Sequence, residues 1–225
     1  MTQNSRISPA DPVAENSMGV VYIATGEKYV RATVKSAESV KKYCNNLNVH
    51  LFTDLGEFSH DCIDGITIID QPHRRSKVDY LFKTPFERTL YLDSDTRVVD
   101  DITDIFKLLD NFDIALAHAH LRNHPATLAQ WKSEIPYSFP QLNGGVILFR
   151  MNMKVESLLK QWHEAYHTAG FKKDQTTLRE LIWRSDLRLT ILPPEYNIRY
   201  KKFLWIWKKN EAVPKIMHLK KYLQN

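Results

Sequence analysis

Glycine is scarce in this chain: seven among 225 residues, none set in a G-x-x-x-x-G-K-[ST] or G-x-G-x-x-G run. A P-loop nucleotidase and a dinucleotide dehydrogenase both need such glycines, because their backbones must come close to phosphates, so both classes are excluded. Cysteine is scarcer still. Cys44 and Cys62, with seventeen residues between them, fit no paired zinc spacing and are too few for a disulfide framework, which makes a reducing cytoplasm the expected setting. No apolar run comes near the roughly 20 residues needed to cross a bilayer; the densest are short, such as GVILF and FLWIW. The opening segment MTQNSRISPADPVAENSM lacks both the apolar centre of a signal peptide and the basic amphipathic pattern of a transit sequence. It reads as a loose polar tail over 1–18, ahead of one domain over 19–225. Internal repeats and low-complexity segments are also missing.

What the chain does hold is 43% hydrophobic residues, enough at this length for one substantial core. Its net charge of +5 is unevenly placed: eight of the 31 Lys and Arg lie between Arg199 and Asn225, against Glu211 alone. Such a basic tract suits phosphates, an anionic membrane, nucleic acid or plain solvation. The β-branched run GVVYIA (19–24) ends at Thr25-Gly26, as a buried strand running into a turn does. Between Glu27 and Asn46, the residues Val30, Val34, Ala37, Val40 and Cys44 recur at three- and four-residue intervals, the stripe of an amphipathic helix. Then follow VHLFT (49–53), ITIID (66–70), a helical stretch from Lys77 to Phe82, RTLYL (88–92), a helix over 102–109 and DIALA (113–117). An irregular stretch over 118–141, with a helix around 127–132, precedes GGVILF (144–149), helices near 155–169 and 175–183, and LRLTIL (187–192). The alternation predicts an α/β fold with a mixed, mainly parallel sheet flanked by helices, because parallel strands need crossover connections. Ligands of such sheets sit beyond the carboxyl ends of the strands. The 118–141 stretch is long for a loop and marks a candidate substrate loop.

The sharpest chemical signal is Asp93-Ser94-Asp95, directly after the apolar strand RTLYL. Two carboxylates two residues apart in a strand-end loop can turn toward one point, and hard oxygen donors suit Mg²⁺ or Mn²⁺. Alone the spacing is weak evidence, since Asp is an ordinary turn residue.

Its surroundings add to it. The segment KVDYLFKTPFERTLYLDSDTRVVDDITDIF (77–106) resembles the nucleotide-sugar site of GT-A glycosyltransferases, especially the family that includes glycogenin and bacterial lipopolysaccharide galactosyltransferases. In that family a basic residue precedes D-x-D by sixteen positions, as Lys77 precedes Asp93. The opening YIATGEKYV resembles the family's first strand and implies that Ala24, Thr25 and Tyr29 meet the base and ribose of the donor. LNGGVILFR resembles its Asn-x-Gly strand and implies that Asn143, Gly144 and Gly145 lie near the donor sugar. Asp174-Gln175 resembles its pair beside the anomeric carbon, and LPPEYN its Leu-Pro-x-x-Tyr-Asn turn. His218, after KIM, sits where the family's third metal ligand stands, which would complete a shell with Asp93 and Asp95; Ser94 lies between those two. The resemblance thus implies a metal-dependent transfer, with Mn²⁺ or Mg²⁺, from a nucleotide-diphosphate sugar, in the family typically UDP-linked and with retention of configuration. Asp174, Gln175 and Asp95 would carry the chemistry. The pattern departs after His218. The family's pyrophosphate-gripping Gly and Lys are replaced by Lys221 and Gln224, which leaves Lys220 or Lys221 as substitutes and turnover in question.

Three further features stand apart. His118, His120 and His124 form H-x-H-x₃-H, either a metal site or a solvent-facing or cleft-lining set. FLWIW (203–207), flanked by lysine pairs, is either a buried core or an acceptor-pocket wall, the favoured readings, or a peripheral membrane contact. Trp131, Tyr137 and Phe139 could stack on a sugar or simply pack. Two rival functions remain at this level: a nucleotide-sugar-binding protein without turnover, and a haloacid-dehalogenase-like phosphatase, whose D-x-D wants Thr or Val where Arg97 stands and usually opens the fold. No nucleic-acid-binding motif is present, so no nucleic acid partner is expected; the acceptor is a saccharide, a lipid-linked glycan or a protein.

Overall fold

A computed structural model describes residues 14–224. Along its first strand, β1 (Ala14–Ile23), Val20 and Tyr22 point into one apolar cluster while Val21 and Ile23 point into another. Neighbouring residues of a strand face opposite ways, so a strand that is apolar on both faces must be covered on both. That requirement organises the molecule. β1 pairs in parallel with β2 (Asn48–Thr53) and with β4 (Phe86–Leu92), and β2 pairs in parallel with β3 (Gly65–Ile68). β7 (Leu142–Arg150) is inserted antiparallel between β4 and β6 (Ile114–His118), and β8 (Leu189–Leu192) closes the far edge in parallel with β6. The seven-stranded order is β3-β2-β1-β4-β7-β6-β8, a mixed and mainly parallel sheet as the sequence predicts.

One face is covered by α1 (Glu27–Tyr43), which buries Val30, Ala37 and Val40, and by a 3-10 segment over Thr103–Asp110. In that segment Ile105 and Leu108, and Phe106 and Leu109, are three apart, so the tight three-residue turn stacks them on the sheet where an α-helix was expected. The other face carries α2 (Lys77–Tyr80), α4 (Met153–Thr168) and α5 (Gln175–Arg184). Asn152 caps α4 by accepting the Val155 N–H at 3.0 Å, and Val155, Leu158, Leu159, Trp162 and Ala165 recur at helical spacing on its buried side.

Two boundaries differ from the sequence reading. The first strand starts at Ala14, inside the expected tail over 1–18; residues 1–13 lie outside the described residues. This extension is polar and is held by hydrogen bonds, which hydrophobic periodicity does not report: the Asn16 N–H donates to Glu87 Oε2 at 2.6 Å, and Ser17 Oγ accepts the Glu87 N–H at 3.0 Å. The stretch over 118–141 contains only the short α3 (Pro125–Leu128), yet it is tied down. Buried Arg179 donates to the carbonyls of Pro136, Phe139 and Pro140, and the buried Glu180 carboxylate accepts the N–H groups of Trp131 and Lys132.

Candidate active site

Because β7 runs against β4, its first residues lie beside the last residues of β4, at the same edge as the end of β1. The Asp93 N–H donates to the Gly145 carbonyl at 2.9 Å, which continues the ladder one step past the strand. The chain then turns through Ser94 into β5 (Thr96–Val98), which pairs antiparallel with β9 (Ile216–His218), Thr96 opposite His218. Two segments more than a hundred residues apart are thereby brought together. His218 Nε2 lies 3.0 Å from Asp95 Oδ1 and 3.6 Å from Asp93 Oδ2, and the ligand atoms of the three residues lie within 4.8 Å of one another.

The proton on His218 can be placed by following hydrogen bonds from a donor of fixed sense. The Gly145 N–H donates to Asn143 Oδ1 at 3.0 Å, so that atom is the amide oxygen. The same oxygen is 3.0 Å from Asn197, which must therefore present its Nδ2, leaving Asn197 Oδ1 to face His218 Nδ1 at 2.7 Å. An amide oxygen only accepts, so Nδ1 carries the hydrogen, and Nε2 is the atom that faces the two carboxylates: it donates to Asp95 while it bears a proton and turns a lone pair toward them once a cation displaces that proton. Three electron-pair donors then converge on one point, which calls for a positive centre between them. A nitrogen and two carboxylates suit Mn²⁺ or Mg²⁺, and the imidazole tilts the set toward Mn²⁺. Gly145 keeps the space clear: a Cβ there would fall 2.2 Å from His218 Cε1 and 2.6 Å from Asp93 Oδ2.

Around this point the charge is mostly positive. Lys77 Nζ, buried, lies 3.0 Å from Asp174 Oδ2, donates to the Gly144 carbonyl at 2.7 Å and is 3.5 Å from Asp93 Oδ1. Burial alone would pull the lysine pKa down; Asp174 and Asp93 outweigh it and hold it above the ordinary value. Burial likewise favours the neutral acid of Asp95, but the hydrogen bond and charge of His218, with Arg199, keep its carboxyl below the usual range. Tyr91 Oη donates to Asp93 Oδ1 at 2.7 Å. Arg75 Nε lies 3.5 Å from Asp174 Oδ1. The Arg199 guanidinium comes within 3.9 Å of Asp95, and its buried Nε has no hydrogen-bond partner among the described residues.

A cavity of about 770 Å³ opens over these groups. Of the residues singled out in the sequence, Ala24, Thr25, Tyr29, Lys77, Asp93, Ser94, Asp95, His218 and Lys220 line it. Asn143, Gly144, Gly145, Asp174 and Gln175 stand just behind: a Cβ on Gly144 would lie 3.4 Å from Lys77 Nζ and 3.7 Å from both Asp174 and Gln175. Gly26, with φ of 77°, turns the chain from β1 into α1 at the rim in a backbone conformation that disfavours other residues. Lys221 stands elsewhere, its ammonium 5.2 Å from the Tyr222 ring and its pKa lowered by the neighbouring Lys201. Arg74, Arg75, Lys28 and Arg199 also line the cavity, and no local motif marked them.

The remaining sequence candidates separate. His124 caps α3, accepting the Ala126 N–H at 3.1 Å, and His120 packs edge-on to Tyr200 with ring centroids 5.3 Å apart. Among the described residues the three histidines 118, 120 and 124 form no metal-ligand group. Phe139 packs on Trp183, while Tyr137 is exposed. FLWIW is not a buried core, which corrects one of the two favoured readings: it forms α6 (Phe203–Ile206) on the surface, where Trp205 is 88% and Ile206 63% exposed. Only Phe203 and Trp207, stacked at 5.3 Å, turn inward onto the small cluster of Ile198, Met217 and Leu219. No helix among the described residues is long and apolar enough to cross a membrane.

Residues 88–223 match the family model described as nucleotide-diphospho-sugar transferase. No curated protein matches. Among solved structures, the chain is similar to the galactosyltransferase LgtC in complex with donor and acceptor sugar analogs, with TM-score 0.62 and 15% identity over 90% of this chain and 87% of that one. It is similar to the glycosyltransferase GlyE of Streptococcus pneumoniae, with TM-score 0.61 and 18% identity over 90% of this chain but 55% of that one. Mouse xyloside xylosyltransferase 1 is similar at TM-score 0.59 and 14% identity, over 90% and 97%. These structural likenesses speak for the fold, a single GT-A domain. The match through D-x-D removes the phosphatase reading, whose motif usually stands on an opening strand, whereas here it follows β4.

Proposed function

We propose, from the premise that this chain belongs to the nucleotide-diphospho-sugar transferase family, that it is a metal-dependent glycosyltransferase using a UDP-linked donor with retention of anomeric configuration. The observation that supports the metal dependence is the convergence of Asp93, Asp95 and His218 Nε2 at a cavity whose other charged lining residues are all basic. Bound there by these three residues, Mn²⁺ or Mg²⁺ would supply positive charge against the diphosphate as the sugar leaves it.

The protein's own groups account for the rest. Thr25 and Ala24 at the end of β1, with Tyr29 one helical turn on, take the base and ribose, and Ser94 lies against the metal-binding loop. Lys220 and Arg199 grip the diphosphate in place of the lysine that Gln224 has supplanted; their side chains reach the same cavity, whereas that of Lys221 does not line it. Lys77, fixed by the Gly144 carbonyl and Asp174, keeps a buried positive charge beside Asp93. Asp174 and Gln175 flank the sugar at its reacting carbon, and Asn143, Gly144 and Gly145 leave room for it. The acceptor hydroxyl, from a saccharide, a lipid-linked glycan or a protein, takes the sugar. The exposed Trp205 and Ile206 among Lys201, Lys202, Lys208 and Lys209 make α6 a peripheral contact for an anionic membrane face in the cytoplasm.

Calorimetric titration with UDP, with and without Mn²⁺, tests the reading. UDP is expected to bind tighter with Mn²⁺, and Asp95→Asn to abolish the metal's effect; equal binding in all three cases overturns it. A second reading, nucleotide-sugar binding without turnover, rests on Gln224 in the cavity wall. Metal-dependent UDP binding with no release of UDP from any UDP-sugar would select it.

A further inference from the structure

Beside the donor cavity, whose wall includes His73, three imidazoles are aimed at one carboxylate. His73 precedes α2, Asp79 lies on α2, and His163 and His167 lie one turn apart on α4, on the same face of the helix. His163 Nδ1 and His167 Nε2 are each 2.7 Å from Asp79 Oδ1, and His73 Nε2 makes a short contact with Asp79 Oδ2. The ligand atoms of His73, Asp79 and His167 lie within 4.8 Å of one another; His163 is not in that close group and joins it through the Asp79 Oδ1 that it shares with His167. None of these residues was singled out by the sequence, and none is used by the transfer.

Hydrogen-bond direction again sorts the rings. His73 Nδ1 accepts the Arg75 N–H at 3.1 Å, so its hydrogen is on Nε2 and is donated to Asp79. His73 therefore steadies the carboxylate. The other ring nitrogens of His163 and His167 make no hydrogen bond with the described residues and can carry the proton, which frees His163 Nδ1 and His167 Nε2 to offer lone pairs toward Asp79 Oδ1. With both rings protonated toward it, Asp79 accepts three N–H donors, which a carboxylate can do; in the other tautomer the same two nitrogens become metal ligands. Two imidazoles and a carboxylate, with a histidine hydrogen-bonded to the free carboxylate oxygen, are instead the makings of a centre for a borderline divalent ion.

We propose that Asp79, His163 and His167 bind a Zn²⁺-class ion, with His73 positioning Asp79 and solvent completing the coordination at this half-exposed surface. The ion would fasten α4 to the segment 73–77, which lines the donor cavity with Arg75 and Lys77. The site is chemically distinct from the oxygen-richer set at Asp93 and Asp95, and the inference stands whether or not the transfer reading does.

The test is Zn²⁺ titration by calorimetry, with thermal melting in parallel, on the full chain and three variants. The wild type and Asp95→Asn are each expected to keep a Zn²⁺ equivalent and to melt higher with Zn²⁺. His163→Gln/His167→Gln is expected to lose that equivalent and its thermal gain, while His73→Gln should bind about tenfold more weakly. Should the double variant fold poorly, His167→Gln alone carries the same expectation of weakened binding. Absence of Zn²⁺ binding in Asp95→Asn, or unchanged binding in the histidine variants, overturns the proposal.

Discussion

Gly145 holds the proposed metal ligands apart by having no side chain, and this makes it sensitive to the smallest substitution. In Gly145→Ala the added carbon overlaps His218 and Asp93, so one of the two must swing out of the converging set. Disturbing the groups that orient metal ligands costs about 10- to 100-fold in metal affinity or activity, and we expect a loss of at least about tenfold in Mn²⁺-dependent UDP affinity with the fold intact by circular dichroism. Arg199 calls for a different measurement. Its proposed role in gripping the diphosphate predicts that Arg199→Gln weakens UDP binding at least tenfold and leaves uridine binding unchanged; an equal loss for both ligands would reject that role. In the sequence Arg199 was one basic residue among many, because only the cavity shows which cations reach it. Asp93, Ser94 and Asp95 were legible since they follow a recognisable strand directly. Asn197 was visible only as part of a turn motif, and its task of fixing the His218 ring follows from the pairing of β5 with β9.

At the scale of elements, strands with apolar periodicity were read well and segments stabilised by polar contacts were not. The start of β1, held by Glu87 with Asn16 and Ser17, and the three-residue β5 carry too few apolar residues for periodicity to register. The loop over 118–141 is ordered by Arg179 and Glu180, whose partners lie some forty to fifty residues upstream. Strand β2 supplies a pH-dependent prediction. Burial lowers the His50 pKa to about 4, and the ring contacts Thr67 Oγ1 at 2.9 Å. The unfolded chain then binds a proton near the ordinary value of 6.5 that the folded chain refuses until about 4, so this contribution is complete above 6.5 and lost as pH falls toward 4. The full shift corresponds to roughly 3 kcal/mol, and partial exposure reduces the expectation to about 2 kcal/mol. His50→Gln should flatten the fall in melting temperature between these pH values; an unchanged slope would contradict the assignment.

For the whole molecule, the mainly parallel sheet with one reversed strand, β7, brings every proposed donor contact to a single edge. α6 lies on the surface outside both large cores. Its exposed tip contributes little to folding, so Trp205→Ser with Ile206→Ser should change stability by less than about 0.5 kcal/mol. The same pair should abolish flotation with vesicles rich in anionic lipid. Flotation equal to that of the wild type would leave the membrane contact without support. The expectation that FLWIW forms a buried core failed because an apolar run cannot by itself tell a core from an interface.

The relay that orients His218 also bears on chemical ageing. Asn143-Gly144 is the dipeptide in which an asparagine amide is most readily attacked by the next backbone nitrogen, closing a succinimide and opening to aspartate or isoaspartate. Here that asparagine lies in the extended backbone of β7, its amide oxygen held by the Gly145 N–H and by Asn197, so the side chain is kept from folding back onto Gly144. The hydrogen bonds that set a tautomer therefore also set a shelf life: deamidation at this position must wait for β7 to leave the sheet, and its rate becomes a clock for local unfolding at the active site.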